Sequence, residues 1–489
     1  MSDMQSPDRN RPGFVVVKRL DAPHPEESFI RYRPLGPLMV TAVGQAVRDV
    51  FDELGGRGLL KPSGDVYVKP NAVDARPYTH TRLEVVRAVI EYWFNVGAKN
   101  VYLFENSTQA NYTRMVFQAN GYARICKETR AKPIYLDECK TEVFWFNGKK
   151  SVEEGDPEGY DRTTFHMPGV VADKLIRGRS ENLYVSLPKL KTHSMGVVTL
   201  GIKNQWGLPA HGCRRFDHNF NLHHKLVDLL EHVRPDVTLI EGVEGTIHGH
   251  YPPTSFAEEC VKPFRVLVGS RNVVAADLVG ARIFGFNVED VPHLKLALER
   301  GYGRGIRGAE DIVLSGDLKD LDRVDLVGDM PEGGAYPFDL IDRLPADVRL
   351  VRGTRRACRE GCVNNPLAGI QVLHADHGGH GDFTFVFGKG HDPQTIDAIE
   401  GRVLVVGPCA VGEVSGRLIE RLGRRNVYLS RYCNDLCAVT EALFHLMKVN
   451  PTDLTYLGPL RSAYPYLVAR LKGSSSRVPH LLSHVIKRV

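Results

Sequence analysis

The sequence predicts an α/β protein built on a mostly parallel sheet with helices on both faces, followed by a smaller C-terminal α/β domain. Three observations carry this prediction. Short apolar runs alternate with stretches of helical periodicity, which is the pattern of strand–turn–helix units. Polar residues cluster where the apolar runs end, as at Lys69-Pro70-Asn71, Glu105-Asn106-Ser107, Pro188-Lys189 and Glu241-Gly242. The same alternation resumes after residue 335.

In chain order, residues 1–35 read as a polar, proline-containing leader, 36–334 as the larger domain, and 335–489 as a cysteine-containing unit with a basic tail. Asp65–Val68 is a strand that ends in the Lys-Pro-Asn turn. Thr81–Asn95 carries Leu83, Val86, Val89 and Ile90 at helical spacing and stops at Gly97. Val101–Phe104, Ile134–Leu136, Asn182–Leu187, Val237–Ile240 and Val266–Val268 are strands; Leu226–Val233 and Val273–Phe284 are helices. Beyond residue 335, strands Gly401–Val406 and Asn426–Leu429 alternate with helices Ser415–Leu422 and Thr440–Met447.

Bulk properties narrow the class. The chain has 489 residues, 43% hydrophobic and 25% charged, an ordinary globular composition with enough apolar material for a sizeable core. No run approaches the ~20 apolar residues of a membrane span, and the polar start lacks the apolar segment of a secretory signal. A cytoplasmic protein is the expectation, and with it nine cysteines held as thiols or metal ligands rather than disulfides. The net charge is +5, and the surplus sits late: 20 Lys and Arg against 15 Asp and Glu from Pro331 onward. Leu460–Val489 holds six cations (Arg461, Arg470, Lys472, Arg477, Lys487, Arg488) and no carboxylate, either a solvated tail or a surface for an anionic partner such as lipid or nucleic acid. No nucleic-acid module signature is present, so nucleic acid is not expected as the main partner. P-loop, nucleophile-elbow and His-Glu-x-x-His motifs are absent. The glycines from Gly301 to Gly308 match a dinucleotide fingerprint only in part and follow no strand.

The densest chemistry lies in Ser186–Pro209. Lys189, Lys191, His193, Lys203 and Asn204 fall within sixteen residues, interleaved with Gly196, Gly201 and Gly207; His211, Arg214, Arg215, Asp217, His218, His223, His224 and Lys225 follow. Several cations beside neutral donors suit a carboxylate or phosphate. A lysine crowded by other cations loses its proton more readily and becomes a base or nucleophile. The expected pocket comprises Lys191, His193 and Lys203 as catalytic residues, with Lys69, Asn71, Lys189, Asn204 and Glu241 binding substrate. The alternative is a long loop of surface lysines and structurally satisfied histidines.

Lys69-Pro70-Asn71, Thr79-His80-Thr81, the strand end at Glu105, Leu187-Pro188-Lys189-Leu190-Lys191-Thr192-His193, Gly201-Ile202-Lys203-Asn204 with Gly207, Glu241-Gly242 and Ala275-Ala276-Asp277 occur in one order along residues 60–305. In this the chain resembles the domain-of-unknown-function 362 family. The resemblance implies an α/β domain, often found beside iron–sulfur modules, and it implies no reaction. Family members often carry a ferredoxin-type run of four closely spaced cysteines. This chain has none, so that cluster does not carry over.

Five thiols nevertheless crowd the C-terminal unit: Cys358, Cys362, Cys409, Cys433 and Cys437. Two of the segments follow predicted strands, so the thiols are candidate ligands for an iron–sulfur cluster of the 4Fe-4S type or, as the alternative, zinc; small buried apolar thiols are the plainer alternative. His374, His377 and His380, with Asp376 and Asp382, read as a polar glycine-containing loop with metal-ligating residue types. The functional expectation is an enzyme, or a redox partner in an electron-transfer system, acting on an anionic small molecule with an iron–sulfur cluster nearby. A non-catalytic metabolite-binding protein and a metal enzyme using His211, His218, His223 or His224 are the alternatives.

Overall fold

The computed structural model describes residues 8–145, 164–318 and 343–487. The strands in chain order are β1 (Phe14–Arg19), β2 (Asp65–Pro70), β3 (Asn100–Glu105), β4 (Lys132–Tyr135), β5 (Thr141–Trp145), β6 (Thr164–Pro168), β7 (Leu183–Leu187), β8 (Lys189–His193), β9 (Val197–Thr199), β10 (Val237–Thr246), β11 (Val261–Lys262), β12 (Val266–Ser270), β13 (Val313–Gly316), β14 (Val348–Arg352), β15 (Phe383–Phe387), β16 (Val403–Val406) and β17 (Val427–Ser430).

The main sheet runs β13-β1-β12-β10-β7-β2-β3-β4. Every pairing along it is parallel except the two that flank β12. Alternate residues along a strand point to opposite faces, and here both faces are covered. Val16, Val66, Val68 and Leu267 enter a core with the helices Pro37–Leu54 and Leu83–Asn95. Val15, Val17, Tyr67, Val266 and Val268 enter a second core with the helices Leu222–His232 and Val273–Ile283. Burial on both faces explains why these strands read as continuous apolar runs.

Strand order locates the ligand crevice. The chain proceeds from β2 outward through β3 to β4, then returns to the other side of β2 with β7 and β10. That reversal makes the β2/β7 boundary a topological switch point, where the loops leaving the carboxyl ends diverge and open a cleft. Lys69-Pro70-Asn71 and Leu187-Pro188-Lys189 stand at those two ends.

The smaller sheet is β14-β15-β16-β17, parallel throughout. Phe385, Phe387, Leu404 and Val406 pack beneath the helices Asn364–His377 and Leu436–Met447; Val386, Val403 and Val405 pack against Pro408–Leu422. The expected domain boundary near residue 335 lies outside the described residues. The two units are joined at the end of the helix Asn364–His377: Asp376 accepts hydrogen bonds from the backbone and hydroxyls of Thr254 and Ser255 and from Arg76.

Two expectations are corrected. Residues 14–19 are not part of a leader but strand β1, inserted between β12 and β13, because Phe14–Val17 are four consecutive apolar residues that fill both cores. The His374–His380 stretch is not a loop throughout. His374 and His377 occupy the last turn of the helix Asn364–His377, which stops at Gly378 in the left-handed region (φ 63°), so the glycines end the helix rather than prevent it. Other boundaries shift by a few residues, most at β10, which continues to Thr246, and at Pro408–Leu422, which starts seven residues before Ser415.

Candidate functional site

The switch point is filled by a buried polar network. At the end of β2, the Lys69 ammonium pairs with Glu105 from the end of β3 at 2.8 Å and reaches Asn204 Oδ1 at 3.2 Å. Glu105 also accepts from the Ala72 amide. Asn204 donates to the Lys69 carbonyl and to Ser186 Oγ, and its Oδ1 accepts from Asn71 at 3.4 Å. Gly207 is required here: a Cβ on it would lie 2.4 Å from Glu105 and 2.7 Å from Lys69 Nζ.

The Gly201–Asn204 turn that supplies Lys203 and Asn204 is held by Asp277. This carboxyl accepts from the Gly201 and Ile202 amides at 2.6 and 2.8 Å, the unpaired donors at the start of a helical turn. Burial pushes Asp277 up to about 7 even so.

A second cluster lies where β8 meets β10. Parallel pairing sets Glu241 beside Lys189, and the register slips between Glu241 and Thr246. In a regular strand residues three apart face opposite ways; the irregularity lets Glu241 and Glu244 both turn to Lys189, at 2.9 and 2.6 Å. Arg82 closes the cluster at 2.5 Å from Glu244. Burial pushes both carboxyls up. At Glu241 burial wins, whereas Arg82 and Lys189 hold Glu244 below the usual carboxylate range. Lys191 donates to the Thr79 carbonyl at 2.7 Å, and burial, then the charges of Lys189 and Lys203, push it far down.

Lys189, Lys191 and Glu241 are fully enclosed at 0% exposure with their partners in place. Lys203, His193, His218 and His250 instead retain 8%, 5%, 5% and 8%. Among the described residues Lys203 has no hydrogen-bond or ion-pair partner. Burial pushes it down to about 7, and the charges facing it are those of Arg214 and Lys69, both cationic. Arg214 is itself lowered to about 10 by burial, although it donates to the carbonyls of Asn106 and Ser107. Gly196 leaves room for the Lys203 chain, since a Cβ there would sit 3.2 Å from Cε.

The histidines form a column beside Lys203. His193 and His250 stack with ring centroids 3.7 Å apart and planes 2° from parallel, and His218 lies 6.5 Å from His193. Burial pushes all three well down, so they are neutral at pH 7. Hydrogen bonds set two tautomers. His193 Nδ1 accepts from the amides of Met195 and Gly196, which leaves the proton on Nε2. His218 Nδ1 donates to the Glu360 carbonyl, which leaves Nε2 as an acceptor. A proton donor and a proton acceptor thus stand near one lysine that titrates near neutrality, the setting general acid–base chemistry requires.

His250 and Glu244 carried no signal in the sequence; Arg214 stood only in the polar cluster after Pro209, and His218 there and as a ligand of the alternative metal enzyme, not as part of the Lys203 pocket. Asp277 stood in a recognised run, but His250 follows no periodic pattern. His211 donates to Ser107, and His223 contacts His293 at 3.2 Å; these two belong to separate buried contacts. The Asp217 side chain lies outside the described residues.

The carboxyl ends of the smaller sheet face this region. Cys358 and Cys362 follow β14, Cys409 follows β16, and Cys433 and Cys437 follow β17. Cys362 lies within electrostatic reach of Cys433 and Cys409, and Cys358 of Cys362 and Cys409; burial pushes both thiols up to about 12. Asn219, next to His218, lies 3.7 Å from Cys433 Sγ, and the Asn434 amide donates to Arg215. Cys437 lines a cavity of about 880 Å³ between the two units, which borders the histidine column at His250 and whose wall also includes Tyr251, Leu443 and Phe444. Among the described residues no three His, Cys, Asp or Glu side chains are arranged to hold a metal ion. The thiols gather, but they do not form a ligand set as they stand.

Comparison with known proteins fits this geometry. Residues 66–282 match the family described as Domain of unknown function (DUF362). The DUF362 region therefore contains β2 through most of the helix Val273–Ile283, and with them the whole Lys69–Glu105–Asn204 network and the Lys203–histidine column. A thylakoid-associated protein of Synechocystis is 25% identical over 260 residues, covering 50% of this chain and 71% of its own. Among the described residues no helix is long and apolar enough to cross a membrane.

Proposed function

We propose that the DUF362 region binds an anionic small molecule, a carboxylate or phosphate, beside Lys203 and acts on it as an enzyme. The observation that carries this reading is Lys203 itself: a buried amine facing only cations, where an anion supplies the missing counter-charge. In its protonated form Lys203 holds the anion. His193 offers a proton from Nε2, His218 offers an acceptor, and Lys69, Asn71 and Asn204 order the floor of the site. Lys189, Lys191 and Glu241 support it from within, because their polar atoms are engaged with one another and with Thr79.

Calorimetric titration with inorganic phosphate and with succinate tests the proposal. The protein binds at least one of them at pH 6, and Lys203→Ala weakens binding at least about tenfold, as expected for loss of a charged partner. His193→Ala impairs turnover more than binding. An unchanged titration for Lys203→Ala sinks the assignment.

A redox reading is favoured by one separate observation, the gathering of Cys358, Cys362, Cys409 and Cys433 at the strand ends facing His218. Four thiols from three segments are donors of the kind that bind iron–sulfur clusters or zinc; an iron–sulfur cluster would add electron transfer to the site, whereas redox-inert zinc would serve structure. Anaerobic purification with iron, sulfide and zinc analysis decides it. Stoichiometric metal that is lost in Cys409→Ser supports the cluster, whereas metal retained by that variant removes Cys409 from the ligand set.

A further inference from the structure

The helix Gly458–Leu471 carries a feature the anion site does not use. Its inner side packs on the helix Thr113–Ala119: Pro465 and Ala469 are buried, and Tyr466 meets Tyr112 edge-on at 5.4 Å. Its outer side exposes Leu460 (90%), Tyr464 (75%), Leu467 (57%) and Leu471 (78%). At 3.6 residues per turn these four project within about 60° of one another, opposite Ala469 and at least about 100° from Pro465. Large apolar side chains lined up in solvent are unlike the scattered ones of an ordinary surface. The segment just after the helix exposes four more, Leu481, Leu482, Val485 and Ile486.

Charge flanks the stripe. Exposed Arg461 and Lys472 project on one edge and Arg470 on the other. The sequence from Leu460 to Val489 contains six cations and no carboxylate. An apolar stripe between two basic edges, with a tyrosine in it, is the arrangement of a helix that lies in the plane of a membrane surface, its apolar side chains among the acyl chains and its cations among anionic headgroups. A second copy of the same face is a poor match. Antiparallel packing would bring Arg461 and Lys472 of each copy against cations of the other, with no carboxylate in the segment to pair them.

We propose that the protein docks on anionic lipid bilayers through the outer face of Gly458–Leu471, as a peripheral and not a spanning contact. Association is then reversible and weakens with salt, because a 14-residue helix offers a limited apolar area and depends on its cations.

Co-sedimentation of the full chain with vesicles tests this. Vesicles of phosphatidylcholine with phosphatidylglycerol bind the protein at low salt, and pure phosphatidylcholine vesicles bind it at least about tenfold less. Leu467→Glu with Leu471→Glu, and separately Arg461→Glu with Lys472→Glu, each lower the bound fraction at least about tenfold. All four side chains are exposed, so thermal melting stays unchanged, which separates loss of docking from loss of fold. Equal binding to both vesicle types, or binding indifferent to both pairs of substitutions, overturns the proposal. So does a dimer, seen by light scattering, that the leucine substitutions dissolve while vesicles fail to bind.

Discussion

Lys203→Met is expected to make the protein more stable at pH 6, not less. The wild-type lysine is lowered to about 7 by burial among cations, whereas an unfolded lysine titrates near ~10.4. Between these values the unfolded chain holds a proton the native protein does not, so native stability rises with pH through that window. Below pH ~7 the native state carries the full cost of an unpaired buried ammonium, on the order of 5 kcal/mol, since ~10.4 and about 7 differ by about 3.4 at 1.36 kcal/mol each. Methionine fills similar volume without charge and removes that cost. The melting-temperature gain is therefore largest near pH 6 and fades between pH ~7 and ~10. Phosphate should close the gap by stabilising the wild type and not the variant. A variant less stable than wild type at pH 6 would mean that Lys203 has a counter-charge and that the anion argument fails.

Glu244→Ala carries the largest expected loss of stability. The substitution strips a buried partner from both Lys189, 2.6 Å away, and Arg82, 2.5 Å away. Glu241 remains beside Lys189 but does not contact the Arg82 side chain; it accepts from the Arg82 backbone amide. Arg82 keeps only the longer contact to Glu84, 3.7 Å from Nη1, so the loss of its close buried carboxylate costs about 3 kcal/mol, the low end of the range for a broken buried pair. Chemical denaturation at pH 7 should show that loss with little change in its denaturant slope. Glu244→Gln should fall between, since it keeps hydrogen-bonding capacity and loses the charge. A loss below about 1 kcal/mol would show that water reaches the cluster and screens it, contrary to its complete burial.

These two predictions divide residues that looked alike in the sequence. Lys189, Lys191 and Lys203 lie within fifteen positions and share residue type, yet two have their side-chain nitrogen engaged and Lys203 has no partner among the described residues. Nothing local separates them. Lys189 is neutralised by Glu241 and Glu244, more than fifty residues away, and Lys191 is hydrogen-bonded to a carbonyl 112 residues away. The pairing of His218 and His250 with His193 was illegible for the same reason, since it exists only after β8 and β10 pair and the 211–221 segment folds back.

By itself the sequence determined the alternation of strands and helices, the parallel character of the sheet, and the accumulation of polar residues at strand ends. Those properties follow from periodicity and from glycine and proline placement, which act over a few residues. It also carried the ordered landmarks of the DUF362 region. Only the tertiary structure decided that Phe14–Arg19 belongs to the main sheet, that the histidine-rich segment ends a helix, that the β2/β7 boundary is the switch point, and which cations keep an unmet charge. Each of these depends on contacts between distant segments, and burial, which sets the protonation of every group at the site, is a property of the assembled core rather than of any stretch of chain.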